Sequence, residues 1–454
     1  MQKNVLVIAA LGLFIGLVGA PLTGVAEESE QMPLPNAEEQ KLSGPSHMFP
    51  LASAAASAIT EARDAYLEEK GMTLGVTAKG SYIGWGEAKI GGHTEDIDWG
   101  QRRIAAYERA YQDALGEFVR SKRRVQTTVT FRVFGDADYQ PDDGATVVSE
   151  LSLIKDKVLA LAEAKLDETL RNSGVDPDEI SGKSLKQKQV LMEDTITRKI
   201  NTDSFAAVSG TRILIQFEDL TDIGLVIVNS MEYRGIAKRI AEGQVVGTVG
   251  GHDPVADIRR QIREAAPNNE QFIPMTGVRV MTDKNGDRVL VSFGQWSPAV
   301  TITESQLKID SKIKAAKLMA YDLADGAITD FIKTTTALDQ DTALAAADSI
   351  TELTFRDRKE EDERSDIGAI IAQFVKTNGW SDLTGVSRIG DWAVNHPETG
   401  HLLVGTILMW SPTLSLLAES EPSEEVAPVE PESGKGKKQS EVKTGADLDK
   451  DAAF

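Results

Sequence analysis

The order strand, long Ala-rich helix, further helix and strand pair occurs twice in this chain of 454 residues, at about 72–240 and 277–418. In both long helices the apolar residues recur every three or four positions, which is the spacing of one helical face. A chain of this length is too long to fold around one ordinary hydrophobic core, and its helices must pack against its sheets. The sequence therefore predicts an α+β protein of two related α/β repeats, each with strands and a long Ala-rich amphipathic helix, plus disordered termini.

Two pairs of matching segments suggest an internal duplication. The long helices end in the similar segments DALGEFV and GAITDFI, in which Phe118 matches Phe331. Two strands end in the same tripeptide, Trp-Ser-Pro, at 296–298 and 410–412. The alternative is chance similarity, because Ala-rich amphipathic helices resemble one another by composition.

Local signals predict several further elements. Apolar residues alternate with polar ones over 125–133, which predicts a strand. Asp253 followed by Pro254 is a typical helix start. Asn285-Gly286 between two apolar segments predicts a β-hairpin.

The N-terminus has the order of a secretory signal peptide. Lys3 precedes an uncharged apolar run over 5–20, and small residues at 24–26 precede two glutamates. The run is shorter than the ~20 residues that span a bilayer, which argues against the alternative of an uncleaved anchor. The chain has no Cys, so lipid attachment through that residue is excluded. We expect residues 1–26 to be removed, leaving a bacterial periplasmic or secreted protein without a transmembrane anchor.

The remaining chain divides into five segments. Residues 27–49 are a polar linker and residues 419–454 an acidic, Pro-rich tail, and both are predicted to be disordered because they have little to bury. Between them we predict a first α+β domain at 50–242, a hinge and connecting helix at 243–276, and a second α+β domain at 277–418.

Charge and composition exclude several functions. The formal net charge of −21 argues against nucleic-acid binding, which needs basic residues to displace counterions from phosphate. The absence of Cys excludes disulfides, thiol catalysis and cysteine metal sites. The sequence contains no complete catalytic constellation or cofactor motif, so we expect no enzyme activity and no cofactor.

Two groups of residues are candidate metal ligands. Asp136, Asp138 and Asp142 lie in an acidic loop that could offer oxygen ligands to calcium, although the EF-hand order fails. His396 and His401 flank a short loop that could hold a metal. The alternatives are a solvated turn and an ordinary hairpin loop, and the sequence predicts no metal site.

One segment resembles a known family. The strand Val76-Thr77-Ala78-Lys79-Gly80 is followed by a helix with Arg102, Ala106, Ala110, Asp113-Ala114 and Leu115. This pattern resembles the N-terminal domain of flagellar assembly protein T and related small bacterial envelope lipoproteins. The resemblance implies an α+β envelope protein without catalysis and contributes no site residues. Most of those relatives are smaller, and this chain has no cysteine to carry a lipid.

These observations favour an exported, non-enzymatic structural or interaction protein of the bacterial cell envelope or exterior. Its expected partners are envelope or extracellular proteins, with self-association as a further option. The alternative is an extracytoplasmic glycan- or small-molecule-binding protein that stacks its ligand on tryptophan rings. A hydrolase is the third hypothesis. The candidate stacking residues are Trp85, Trp99, Trp296, Trp380, Trp392 and Trp410.

Overall fold

The computed structural model describes most of the chain between the two termini. The described residues are 56–77, 80–134, 147–244, 247, 253–301, 303–333 and 383–420. The predicted signal peptide, the 27–49 linker and all but the first two residues of the predicted tail lie outside this part.

Two four-stranded sheets of the same topology form the framework. The first sheet has the order β1-β2-β4-β3 and the second has the order β5-β6-β8-β7, with all neighbouring strands antiparallel. The strands are β1 (Gly75–Val76), β2 (Tyr82–Lys89), β3 (Arg212–Glu218), β4 (Asp222–Asn229), β5 (Gly277–Thr282), β6 (Arg288–Trp296), β7 (Val386–Asn395) and β8 (Leu402–Trp410). The shared strand order confirms the predicted α+β fold of two similar sheet–helix units.

Helices cover both sheets. The first unit contains α1 (Ala56–Lys70), α2 (Trp99–Val133), α3 (Val147–Ala160), α4 (Glu163–Asn172), α5 (Pro177–Ile180), α6 (Leu185–Ala206) and α7 (Met231–Ala241). The second contains α8 (Pro254–Ala265), a 3₁₀ turn (Asn269–Phe272), α9 (Gln306–Lys333) and α10 (Pro412–Ser420). Within the described part of the chain, no helix has the length and apolarity required to cross a bilayer.

A glycine contact defines how the two units correspond. A side chain built on Gly86 of β2 would lie 2.5 Å from the backbone nitrogen of Ala114 in α2. A side chain on Gly294 of β6 would lie 2.6 Å from the backbone nitrogen of Ala324 in α9. In each unit the long helix therefore approaches its sheet so closely that only glycine fits on the strand.

Replacing either glycine with alanine should destabilise the protein. The added methyl group would overlap the helix backbone in both units, and overpacking of this kind typically lowers the free energy of unfolding by ~1–3 kcal/mol. Gly326→Ala is the matched control, because a side chain there meets no atom within 4 Å and alanine favours helix α9. Denaturant titration of the three variants checks this: similar losses for Gly86→Ala and Gly294→Ala, with Gly326→Ala neutral or stabilising, are expected. Wild-type stability in Gly294→Ala would contradict the close approach.

The same correspondence corrects the predicted alignment of the repeats. Because Ala114 matches Ala324, the counterpart of Phe118 is Ile328, three residues before Phe331. The two Trp-Ser-Pro tripeptides do not mark equivalent positions of the two units. They begin at the last residues of β6 and β8, which are neighbours in one sheet. The equivalent of Ser411 is Ser230, and each of these serine hydroxyls accepts a hydrogen bond from a backbone N–H at the start of the following helix, at 3.3 and 3.2 Å.

The strand predicted over 125–133 is wrong, because these residues continue helix α2. Thr127 and Phe131 are buried, whereas Val125 and Val129 are half exposed. A spacing of four residues places each pair on one helical face, and over so short a segment it resembles strand alternation. Phe131 instead enters a helical cluster whose other members are Ile154, Val158, Leu166, Leu170, Ile180, Met192, Ile196 and Ile200.

The two sheets share one hydrophobic core. Leu214 and Val228 of the first sheet belong to the same buried cluster as Val280 and Leu408 of the second sheet. Phe331 of α9 lies in this cluster too, and its carbonyl accepts a hydrogen bond from the backbone N–H of Gly210 at 2.9 Å. The units therefore adjoin through a continuous apolar contact.

Helix α8 lies in the segment 243–276, which is predicted to be a hinge and connecting helix. Its buried residues Ile258 and Ile262 pack with Val289 and Met409 of the second sheet. Asp253 caps the helix as predicted, because its side chain accepts the backbone N–H of Val255 at 2.9 Å. The helix contributes to the core of the second unit, while the domain boundaries themselves remain a prediction.

Candidate functional site

A buried ion pair of the first unit lies at the seam, the surface where the two units meet. Arg103 of α2 is 1% exposed, and its guanidinium donates to both carboxylate oxygens of Glu218, at 3.2 Å to Oε1 and 2.5 Å to Oε2. The same guanidinium reaches the second unit, donating to Gln295 Oε1 at 3.0 Å and to the carbonyl of Ile273 at 2.7 Å. The side chain of Arg103 therefore donates hydrogen bonds to polar groups of both units.

Further hydrogen bonds complete this network. Gln216 donates to Glu218 Oε2 at 2.7 Å and accepts from the hydroxyl of Thr276 at 2.8 Å. Gln295 donates to the carbonyl of Ile273 at 3.0 Å. These side chains leave no buried polar atom unpaired, so the network satisfies the requirement for stable burial of charge.

Burial and charge act in opposite directions on Glu218. Burial raises the pKa of this carboxyl, but the adjacent Arg103 and His396 outweigh burial and hold the pKa below its ordinary value of 4.5. Glu218 therefore remains ionised inside the protein at neutral pH.

This lowered pKa predicts that the protein loses folding stability in acid. A carboxyl with a depressed folded-state pKa stabilises the fold above its unfolded-state pKa, and this contribution disappears as the pH falls through the folded-state pKa. We expect the free energy of unfolding to fall more steeply between about pH 5 and pH 3 in the wild type than in Arg103→Met/Glu218→Gln. Denaturant titrations at each pH measure the two slopes, and equal slopes would contradict the assignment.

The two candidate histidines pack against the first unit. Both lie in the β7–β8 hairpin of the second unit and pack against Trp99 of the first unit, with ring centroids 5.0 Å from Trp99 for His396 and 5.6 Å for His401. The Nε2 atom of His401 is 2.9 Å from the carbonyl of Thr94. In the parts of the chain that the structure describes, no group of three His, Cys, Asp or Glu residues has a metal-binding arrangement. The other candidates, Asp136, Asp138 and Asp142, lie outside those parts.

A cavity of about 210 Å³ opens beside the ion pair, between the two units. Its lining combines carboxylates, one histidine and an apolar wall. The residues are Glu218, Asp219, Leu220, Glu270, Gln271, Ile273, Pro274, His396, Pro397 and Glu398. We call this the acidic cavity, and it is the candidate functional site.

A second cavity of about 150 Å³ lies elsewhere along the seam, between α2 and α9. Tyr107, Tyr111 and Arg212 contribute to its lining. Burial raises the pKa of both tyrosines, so neither hydroxyl ionises near neutral pH. Burial and the neighbouring Arg212 lower the pKa of Arg279 to about 10, which still leaves this guanidinium charged.

The tryptophans serve mainly as core residues. Trp99, Trp392 and Trp410 are buried, and Trp85 and Trp296 are half buried. Trp380 lies outside the described residues. Trp85 also packs under the guanidinium of Arg63, whose Cζ lies 4.9 Å from the ring centroid. These positions give little open surface for stacking on a sugar.

Sequence reasoning missed both members of the ion pair, although one signal was present. Arg103 occupies a position in the apolar stripe of α2, four residues after Trp99 and three before Ala106, and both of these neighbours are buried. A charged residue in such a stripe must find a buried partner. Glu218 gives a weaker signal, because its strand already contains the polar residues Arg212 and Gln216 among its apolar ones.

Comparisons with known proteins leave the activity open. A family model described as a domain of unknown function (DUF6844) matches residues 151–242, a segment that contains Glu218 but not Arg103. No curated protein matches the chain. A crystal structure of hypothetical protein FTT1539c from Francisella tularensis is similar, with 17% sequence identity and a TM-score of 0.49, covering 83% of this chain and 97% of that one.

Proposed function

We propose that this protein is an exported, non-enzymatic interaction protein of the bacterial cell envelope or exterior. The observation that supports this most directly is the role of the buried polar residues. Arg103 pairs with Glu218 of its own unit and donates to Gln295 of the second unit, so this network links two similar units. Such residues stabilise a two-unit scaffold, and the surfaces of that scaffold are then available to partners.

Export is the first part of the proposal that can be measured. We expect the protein recovered from the periplasm or medium of its bacterial host to begin at Glu27, because the small residues at 24–26 form the cleavage site. N-terminal sequencing checks this. Full-length protein retained in the membrane fraction would show that the apolar run acts as an anchor.

Partner binding is the second part, and site-specific photocrosslinking in the host tests it. Met231 is 69% exposed at the start of α7, and Leu307 is 79% exposed at the start of α9, so each offers a probe position on one unit. Replacing each in turn with a photoreactive phenylalanine should give discrete, light-dependent adducts with envelope proteins or with a second copy. The same cells without illumination provide the control.

The glycan-binding alternative predicts a different result. Sugars that bind by stacking would quench tryptophan fluorescence through the half-buried Trp85 or Trp296. Absence of adducts from both probe positions, combined with saturable quenching by a sugar, would favour that alternative over an interaction protein.

A further inference from the structure

Helix α9 leaves large apolar side chains exposed on a side that the second sheet does not cover. Leu318 is 61% exposed and Tyr321 is 38% exposed, and their spacing of three residues places them on one helical face. The sheet instead receives Ala320 and Ala324, which are fully buried where the helix approaches Gly294. Large apolar side chains that lie together on a surface indicate a contact site.

Opposite charges lie at the two ends of this exposed face. Lys314 precedes its apolar members by four residues and Asp325 follows them by four, so all of them share the face. Within the part of the chain that the structure describes, neither of the two is paired with an opposite charge, whereas the neighbouring Lys312 pairs with Glu304 at 2.8 Å. Burial, together with the Asp322 carboxylate, raises the pKa of Asp325. A cation supplied by a partner would therefore be favourable at this carboxylate.

This face is complementary to itself when two copies run in opposite directions. In an antiparallel pair with its two-fold axis between residues 319 and 320, Lys314 of one copy lies opposite Asp325 of the other, and Leu318 lies opposite Tyr321. Each contact occurs twice, because a two-fold interface uses the same surface of both copies. A parallel pair would instead place Lys314 against Lys314 and Asp325 against Asp325. The charge pattern therefore favours the antiparallel arrangement.

We propose that the protein self-associates through α9, with two copies of the helix packed antiparallel over Lys314–Asp325. This inference rests on the proposed function as an interaction protein, and it names a second copy of this chain as the partner. The contact spans about three helical turns, which is less surface than tight dimers bury. We therefore expect a weak dimer, with a dissociation constant of about 10–100 µM.

Sedimentation equilibrium of the signal-free protein tests the proposal through a charge swap. Lys314→Asp and Asp325→Lys should each weaken dimerisation at least tenfold, because each replaces two attractive pairs with two repulsive ones. The double variant Lys314→Asp/Asp325→Lys reverses both charges and should restore the dissociation constant to within about threefold of wild type. A wild-type protein that stays monomeric at every concentration would overturn the proposal, as would a double variant no better than the single ones.

A matched variant separates the α9 face from the overall charge. Lys186 is exposed on α6 of the first unit, so Lys186→Asp makes the same change in net charge as Lys314→Asp at a remote position. It should dimerise as the wild type does. Equal weakening by Lys186→Asp and Lys314→Asp would assign the effect to net charge and overturn the proposal.

Disulfide cross-linking tests the orientation of the helices, since the chain has no Cys of its own. In the antiparallel pair the two copies of residue 318 lie about 5 Å apart along the helix axis, and the two copies of residue 307 lie about 37 Å apart. Leu318 and Leu307 are both exposed, so thiols at either position are accessible. On mild oxidation Leu318→Cys should form covalent dimers at least tenfold faster than Leu307→Cys. Equal rates, or faster cross-linking of Leu307→Cys, would overturn the antiparallel contact.

The photocrosslinking experiment distinguishes the failure of this inference from the failure of the proposed function. A signal-free protein that is monomeric in sedimentation, but gives adducts with other envelope proteins in the host, would overturn self-association and leave the proposed function in place. A protein that dimerises as expected, with the charge swap restoring association, would support the inference even if it gave no adduct with a different protein.

Discussion

Replacing Arg103 with methionine should lower the free energy of unfolding by about 3–5 kcal/mol, because it leaves Glu218 as a buried carboxylate without its cation. The same change removes the donors to Gln295 Oε1 and to the carbonyl of Ile273. Gln295 Oε1 then loses its donor, which adds a desolvation penalty, whereas the Ile273 carbonyl keeps its hydrogen bond from Gln295 Nε2. Denaturant titration at neutral pH measures the loss.

Two companion variants make the result specific. Arg103→Met/Glu218→Gln should be less destabilised than the sum of the single variants, since neither member is then left as an unpaired charge. Arg102→Met is the matched control: Arg102 is the neighbouring arginine, pairs with Asp96 and Asp98, and its side chain is 40% exposed. An exposed pair contributes ~0.2–1 kcal/mol, so the control should remain near wild type. A loss for Arg103→Met that is as small as the loss for Arg102→Met would contradict the stabilising role of the Arg103 network at the seam.

The sequence predicted the elements that have strong local signals. The β5–β6 hairpin follows from Asn285-Gly286, where Gly286 adopts a positive φ of 87° that glycine tolerates well. The start of α8 follows from the capping chemistry of Asp253. In both cases the physical cause acts within a few residues, so the local sequence is sufficient to predict the element.

Tertiary context decided the elements that the sequence predicted wrongly or missed. Thr127 and Phe131 face inward because other helices pack against the C-terminal part of α2. Residues 125–133 themselves carry no signal of those helices. Likewise, the ion pair depends on strand register and helix position across a separation of 115 residues between Arg103 and Glu218. A sequence pattern shows that Arg103 needs a partner, but it does not identify that partner.

The repeats illustrate why backbone geometry is a better guide to equivalent residues in the two units than short similar sequence segments. The Phe118–Phe331 match aligned residues that lie one turn apart in the two units. The glycine on the second strand and the alanine facing it were visible in the sequence, yet glycine and alanine are too common to stand out. Their importance comes from the close approach of the helix backbone to the strand.

The shared core leads to a final prediction about cooperativity. Phe331→Ala and Phe118→Ala should each lower the free energy of unfolding by ~3–5 kcal/mol, the usual loss for a buried phenylalanine. Phe331 lies in the cluster that both sheets share, whereas Phe118 stacks on Tyr82 within the first unit, with ring centroids 4.3 Å apart. Phe118 also packs with Leu225 and Ile227 of the first sheet in a second buried cluster. Because the first sheet contributes to this cluster and to the shared one, loss of either phenylalanine should destabilise the two units together.

Differential scanning calorimetry measures this coupling. The wild type and both variants should each show one unfolding transition, shifted to lower temperature in the variants. The units are linked by the apolar contact between the sheets and by the hydrogen bonds from Arg103 to Gln295 and Ile273. Leu307→Ala on the exposed face of α9 is the control and should change stability by at most ~0.5 kcal/mol. Two separate transitions, of which Phe118→Ala lowers only one, would mean that the units unfold independently and that the seam is a weak contact between two domains.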